Sequence, residues 1–207
     1  MEDPVYYYLF GGNNPTSVVF YGDLDITALG GAGFASQRSV DALSWDLAAY
    51  QGLSVGIRTG DAKKYTVILK DSVLPKRPDG REQSTVSWEY DFEVSSCPEI
   101  VIPWHAFRPT YRGKPKPDAE PLAPGSVKRI GIMCRSFFGE QEGPFRLELD
   151  HIAAVTSAGL RQQPRPQPQA ELAPLDSGPK EKGVGPKSQS SQVSLWLGWF
   201  GKLVGWG

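Results

Sequence analysis

The run Val86-Ser-Trp-Glu-Tyr-Asp-Phe-Glu93 limits the possible folds of this chain more than any other stretch. Side chains of an extended strand point alternately to opposite faces, so Val86, Trp88, Tyr90 and Phe92 share one face and Ser87, Glu89, Asp91 and Glu93 the other. One face reads as core and the other as wet. The same period recurs along the chain. Val18, Phe20, Leu24 and Ile26 alternate with Val19, Tyr21, Asp23 and Asp25, and Ile130, Ile132 and Cys134 alternate with Gly131, Met133 and Arg135. Leu53, Val55 and Ile57 alternate with Ser54, Gly56 and Arg58, and Tyr65, Val67 and Leu69 with Thr66, Ile68 and Lys70. Thr59-Gly60-Asp61 lies between these last two runs, which predicts a hairpin. Glu99 to Ile102 reads as a short strand closed by Pro103, and Phe145, Leu147 and Leu149 follow a turn at Gly139 to Gly143. No helical period is sustained anywhere. Many short strands between Gly, Pro and Asp turns predict an all-β fold, an antiparallel jelly-roll β-sandwich, ending near Val155.

Composition narrows the class of partner. A formal net charge of −1 over 207 residues supplies no basic field for nucleic acid. Cys97 and Cys134 are far apart and form no Cys-x-x-Cys, which argues against a disulfide framework or a structural zinc site and predicts free thiols. The N-terminus carries Glu2 and Asp3 and nothing basic before Arg38, so neither a secretory signal nor a mitochondrial presequence is visible. Asn14 precedes Pro15, which spoils the Asn-x-Thr glycosylation pattern.

After residue 156 the character of the chain changes. Residues 157–193 are rich in Pro, Gln, Gly, Lys and Ser and too poor in large apolar side chains to offset the entropy of ordering, so they read as a disordered linker. Residues 194–207 hold three of the six Trp residues. On a helical wheel Trp196, Trp199, Phe200, Leu203 and Trp206 cover much of the surface, while Gly198, Gly201, Lys202 and Gly205 share a side. At about 1.5 Å per residue such a helix falls short of the roughly 30 Å hydrocarbon core, so it does not span a bilayer. It suits the membrane interface or a protein surface equally well.

Motifs for catalysis are weak. Gly52-Leu-Ser-Val-Gly56 has the letters of a nucleophile elbow, but Ser54 sits within an alternating strand instead of between a strand and a helix. Gly30 to Gly33 lacks the Lys-Ser/Thr of a phosphate loop and reads as a turn. His105 and His151 are the only histidines, and neither stands at metal-ligand spacing. No catalytic residue, metal or cofactor is expected.

Certain segments carry a resemblance. Gly22-Asp-Leu-Asp-Ile, Leu29-Gly-Gly-Ala-Gly-Phe-Ala-Ser-Gln-Arg38, Tyr65-Thr, Leu69-Lys-Asp71, Gly80-Arg-Glu-Gln-Ser-Thr-Val-Ser-Trp-Glu-Tyr-Asp-Phe92, Tyr111-Arg-Gly113 and Arg135-Ser-Phe-Phe-Gly-Glu-Gln-Glu-Gly143 occur in order. Together they resemble the NADH:ubiquinone oxidoreductase (complex I) intermediate-associated protein 30 family, its fungal members in particular, over approximately residues 9–155. The resemblance implies a galactose-binding-domain-like jelly roll and a non-enzymatic, chaperone-like assembly factor. Its partner would be a protein, a membrane-arm intermediate of mitochondrial respiratory complex I, and it brings no catalytic residues and no cofactor. Localisation by resemblance is mitochondrial, against a cytoplasmic reading of the N-terminus.

The polar loop ends are the expected contact points: Arg38, Arg81, Glu82, Gln83, Tyr111, Arg112, Arg135, Glu140 and Gln141, with Arg and Tyr favoured as anchors because they combine area with directed hydrogen bonds. The plainer reading of each is a solvated loop tip or a hydrogen bond that pins neighbouring loops. The alternative function is a jelly roll binding a small ligand or glycan, with Trp104, Phe107 and Tyr111 as stacking rings, or a membrane-associated adaptor unrelated to complex I. The domain reading carries its own check. Limited proteolysis of the full chain is expected to cut between Ser157 and Gln192 and leave a stable core, and a protease-resistant linker would remove the boundary.

Overall fold

The structure is a computed structural model that describes residues 6–11, 17–27, 31–40, 43–94 and 98–161. These fall within one unit, Met1–Pro164. Cys97, the 162–193 part of the linker and the Trp-rich tail lie outside the described residues.

Eleven strands follow one another: β1 (Tyr6–Gly11), β2 (Val18–Leu24), β3 (Phe34–Arg38), β4 (Gly52–Gly60), β5 (Lys64–Lys70), β6 (Ser87–Glu93), β7 (Glu99–Pro103), β8 (Arg108–Tyr111), β9 (Lys114–Pro115), β10 (Arg129–Arg135) and β11 (Gly143–Val155). A short helix, α1 (Ser157–Arg161), closes the described chain. The expected all-β antiparallel sandwich is what forms. One sheet has five strands in the order β1-β11-β4-β7, with β2 also on β11; the other has six, β3-β10-β5-β6-β8-β9. Strand β11 organises the first sheet, since along one side it pairs with β2 over residues 143–149 and with β1 over residues 151–155.

The predicted alternation places the core correctly. Leu53, Val55 and Ile57 of β4 and Leu147 and Leu149 of β11 face Tyr65, Val67 and Leu69 of β5 and Trp88, Tyr90 and Phe92 of β6, all within one buried cluster. Rings from the two sheets interlock there. Phe20 lies 4.9 Å from Phe145, Tyr65 lies 6.0 Å from Phe92, and Tyr65 is 6.4 Å from both Phe20 and Phe145. A register shift in β11 between Leu149 and His151 inserts one residue, so Ile152 and Ala154 continue the buried face instead of its opposite.

Two expectations need correction. Strands β4 and β5 are not a hairpin: β4 pairs with β11 and β7, whereas β5 pairs with β10 and β6. Asp61 is where the chain crosses between sheets. Its Oδ1 accepts from Tyr65 Oη at 2.9 Å and Lys63 N at 3.0 Å, and its Oδ2 accepts from Arg146 N at 2.7 Å. This ties the crossing to β11. On β4 the face opposite the core is covered too, with Ser54 wholly buried and Gly56 buried with it. The second corrected expectation is the wet face of β6, where Glu89 is only 8% exposed.

Asp61 generates a test of the fold. Asp61→Ala leaves the buried Tyr65 hydroxyl without its acceptor and hands the exposed Arg146 N–H to water, so an expected loss of about 1–3 kcal/mol follows from the cost of the orphaned donor. Urea unfolding reads it. In Tyr65→Phe the same substitution should cost less, since that orphan is already gone.

Candidate functional site

The register of the six-stranded sheet brings the charged residues of separate segments onto one outer face. Gly131 of β10 lies opposite Arg38 of β3 and Ile68 of β5, Ile68 lies opposite Glu89 of β6, and Glu89 opposite Arg108 of β8. Beside this row run Ser36, Met133, Thr66 and Asp91. Arg129 pairs with Lys70 at one end of β10, and Arg135 with Phe34 at the other.

Arg135 reaches back over the sheet to two carboxylates of β6. Its Nη1 donates to Glu89 Oε2 at 2.8 Å and its Nη2 to Asp91 Oδ1 and Oδ2 at 2.8 and 2.9 Å. Thr110 Oγ1 donates to Glu89 Oε1 at 2.7 Å, and Thr66 Oγ1 to Asp91 Oδ1 at 2.6 Å. Both carboxylates thus share one guanidinium, and a threonine hydroxyl bonds each of them. The Phe137 ring caps the guanidinium, 4.7 Å from its carbon.

A second knot lies along the same face. The loop after β5 folds back so that Glu82 meets two guanidinium groups at once. Arg38 Nη1 and Nη2 donate to Glu82 Oε2 and Oε1 at 2.7 and 2.9 Å, and Arg129 Nη1 and Nη2 donate to the same two atoms at 3.0 and 3.3 Å. The Arg38 hydrogen bonds above all, with those of Arg129, hold the Glu82 carboxyl down at about 2 against the opposing effect of desolvation. Lys70, beneath the loop, donates to Thr85 O, Thr85 Oγ1 and Val86 O. Burial, and then Arg129, push its ammonium below the ordinary lysine range.

The sequence-predicted residues divide accordingly. Arg38 and Glu82 belong to one knot and Arg135 to the other. Arg81 projects into solvent beside Asp79, with Nε 3.8 Å from its carboxylate. Gln83 Nε2 donates to Pro75 O within its own loop, and Arg112 Nε donates to Ser84 Oγ while its guanidinium lies 5.5 Å from the Tyr111 ring. Gln141 acts as a clamp between turns: its Nε2 donates to Lys64 O and Arg135 O, and its Oε1 accepts from Lys64 N. Glu140 is exposed beside it. Trp104 packs on the core rim and donates Nε1 to Tyr50 O. Phe107, 3% exposed, is too buried to stack on a sugar. Trp196, Trp199, Phe200 and Trp206 lie outside the described residues.

Sequence reasoning did not select Arg129, Lys70, Phe34 or Phe138. The alternation of β10 does place Arg129 and Arg135 on one face, a signal present in the sequence. The aromatics stand at the Arg135 end of the sheet, where Phe34 pairs with Arg135 and Phe138 follows Phe137. Phe34 is 70% exposed and Phe138 72% exposed. Ser136 joins their loops, since its N–H donates to Gly33 O, and its hydroxyl donates to Gly31 O and accepts from Gly33 N.

On the outer face of the other sheet, Ser54, Glu99 and His151 meet through the insertion in β11. Ser54 Oγ donates to Glu99 Oε1 and lies 3.1 Å from His151 Nε2, which is itself 3.6 Å from Glu99 Oε1. A nucleophilic triad needs the carboxylate on the opposite ring nitrogen from the serine. Here both stand at Nε2, Ser54 is wholly buried, and the arrangement is not that of a hydrolase. Gly56 makes room for it, because a Cβ there would lie 2.4 Å from the imidazole. Among the described residues no His, Cys, Asp and Glu group is arranged to hold a metal ion.

The Glu82 knot has a pH signature. Because its pKa is lowered from 4.5 to about 2 on folding, its contribution is fully present above pH 4.5 and is lost as pH falls through about 2. Urea midpoints of the natural protein should therefore fall between those values more steeply than those of Glu82→Gln.

Residues 10–149 match the family model described as Complex I intermediate-associated protein 30. An uncharacterised protein of Schizosaccharomyces pombe is 39% identical over 140 residues, covering 66% of this chain and 64% of the relative, so the match spans less than two thirds of that protein's length. Among solved structures, the family 11 carbohydrate-binding module of the cellulosomal cellulase Lic26A-Cel5E of Clostridium thermocellum shows a slight likeness, with a TM-score of 0.42 and 14% identity over 73% of this chain and 95% of that one. The family match takes in more than half of the chain, from Phe10 in β1 to Leu149 in β11, and with it both polar knots and the aromatic corner, and on that ground the chain belongs to the Complex I intermediate-associated protein 30 family.

Proposed function

We propose that this chain is a non-catalytic, chaperone-like binding protein that assists assembly of mitochondrial respiratory complex I by holding a partly assembled membrane-arm partner through protein–protein contacts. Family membership supports the partner. The observation that carries the binding role is the aromatic corner. Phe137 and Phe138 sit at φ 46° and 60°, a left-handed region that bulky side chains avoid at about 1–3 kcal/mol each. The turn is held there by Gln141 and by backbone hydrogen bonds from Gly139 N and Gln141 N to Ser136 O. Strain is thus maintained to present Phe138 outward beside Phe34, where burial against an apolar surface of a partner is favourable. The rim is polar, with Arg135, Lys64 and Glu140 around it, as interfaces require.

The Trp196, Trp199, Phe200 and Trp206 tail has a part in this reading: it keeps the chain beside the membrane in which the partner resides. Arg81, Tyr111 and Arg112, at the far end of the same sheet, extend the contact surface.

The test is co-purification from the native host. The full chain should enrich complex I membrane-arm subunits, and Phe34→Ser with Phe138→Ser should weaken that association by about tenfold or more at an unchanged urea midpoint. Failure of the natural chain to enrich those subunits would overturn the assignment; equal enrichment by the variant would move the contact away from this corner.

A further inference from the structure

The Glu82 knot is charged in a way that a structural pin does not require. Three cations, Arg38, Lys70 and Arg129, share one electrostatic neighbourhood in which Glu82 is the carboxylate that bonds the two guanidinium groups. The other nearby carboxylate, Glu89, is taken by Arg135 and Thr110. Arg129 is 8% exposed, and its Nε, like that of Arg135, is buried without a hydrogen-bond partner among the described residues. A buried guanidinium left with a donor unmet is costly, and a single negative charge leaves the site cationic. Both arginines direct their paired Nη donors at the same two oxygens, the arrangement that guanidinium groups use for carboxylate and phosphate alike.

The carboxylate arrives on a strap that is easily lifted. Residues 74–84 are all exposed, the loop carries Pro75, Pro78 and a Gly80 at φ 78°, and Glu82 is the side chain by which it reaches β3 and β10. Releasing Glu82 uncovers the site and leaves the core as it is. Arg38, half exposed, opens it to solvent on one side.

We propose that Arg38 and Arg129, with Lys70 behind them, form an oxyanion-binding site of the phosphate class in which Glu82 is a built-in competitor, so that a bound phosphate group takes the place of the Glu82 carboxylate and frees the exposed 74–84 strap, while Lys70 keeps Thr85 and Val86 in place. A dianionic phosphate supplies the second negative charge that the carboxylate lacks and more acceptor oxygens than Glu82 offers. No bond is made or broken. Occupancy of the site becomes the position of the strap, which lies on the same sheet face as the Arg135 knot.

The site makes an uncommon forecast: deleting an acidic side chain should strengthen anion binding rather than merely loosen the fold. Where Glu82 occupies the site more than about nine-tenths of the time, its removal raises apparent affinity by about tenfold or more. Inorganic phosphate is titrated calorimetrically into the full chain, into Glu82→Gln and into Glu82→Gln with Arg38→Ala, with sodium chloride keeping the ionic strength equal. The expected order is tightest for Glu82→Gln, weaker for the natural chain, and weakest for the double variant. A second measurement needs no variant. Phosphate should accelerate tryptic cutting of the natural chain after Lys76 and Arg81, as matched chloride does not. Equal phosphate affinity in the natural chain and in a folded Glu82→Gln, or a cutting rate that phosphate leaves unchanged, overturns the proposal. Both readouts are independent of complex I, so their failure leaves the assembly reading standing.

Discussion

The crossing at Asp61 is the constraint on which the two-sheet arrangement rests. Strands β4 and β5 are neighbours in sequence and would pair if a tight turn joined them. Instead the Asp61 carboxylate takes the Tyr65 hydroxyl and the Arg146 N–H, and the Asp61 N–H returns a bond to Arg146 O. The chain is thereby stitched to β11 at the moment it leaves the first sheet. Tyr65, wholly buried, then enters the aromatic cluster with Phe20, Phe92 and Phe145, and its hydroxyl pKa is pushed up by burial and then by Asp61. One short carboxylate thus satisfies a buried phenol and fixes which sheet each strand joins.

Once the inner faces are apolar, the outer face of the six-stranded sheet is free to carry charge. Its charges are not simply solvated. Strand register places arginines of β3 and β10 within reach of carboxylates from β6 and the loop before it, and burial makes those pairs geometrically exacting. Desolvation consumes much of the attraction in such pairs, so their net contribution to stability is small. That face is a polar platform of paired charges. Phe34 and Phe138 add exposed apolar area at its edge.

The face is also asymmetric in a useful way. The Arg135 end is closed by paired carboxylates, two threonines and the Phe137 ring. The Arg129 end is closed by a loop residue on an exposed strap. Residues 74–84 of that strap are exposed and stand outside the buried cluster, whereas Val86 at its end packs against it.

Period-two patterning was enough to identify β2, β4, β5, β6 and β10 and to name Phe20, Leu53, Tyr65, Trp88 and Ile132 as core, because the side-chain period of a strand is a local property. It also placed Arg38, Glu82 and Arg135 among the polar loop ends. The sequence could not say that Arg38 and Arg129 converge on Glu82, or that Glu89 is buried, because those facts depend on which strands lie side by side. Alternation names a face but not its neighbour. It likewise misread Thr59 to Asp61 as a hairpin turn, since a short polar connection looks the same whether it returns to its own sheet or crosses to the other. What the sequence determined alone was the all-β class and the inward residues of its strands; strand order, the insertion in β11 that brings His151 to Ser54, and the meeting of charges on the outer sheet were decided by tertiary pairing, in which residues tens of positions apart compete for the same hydrogen bonds.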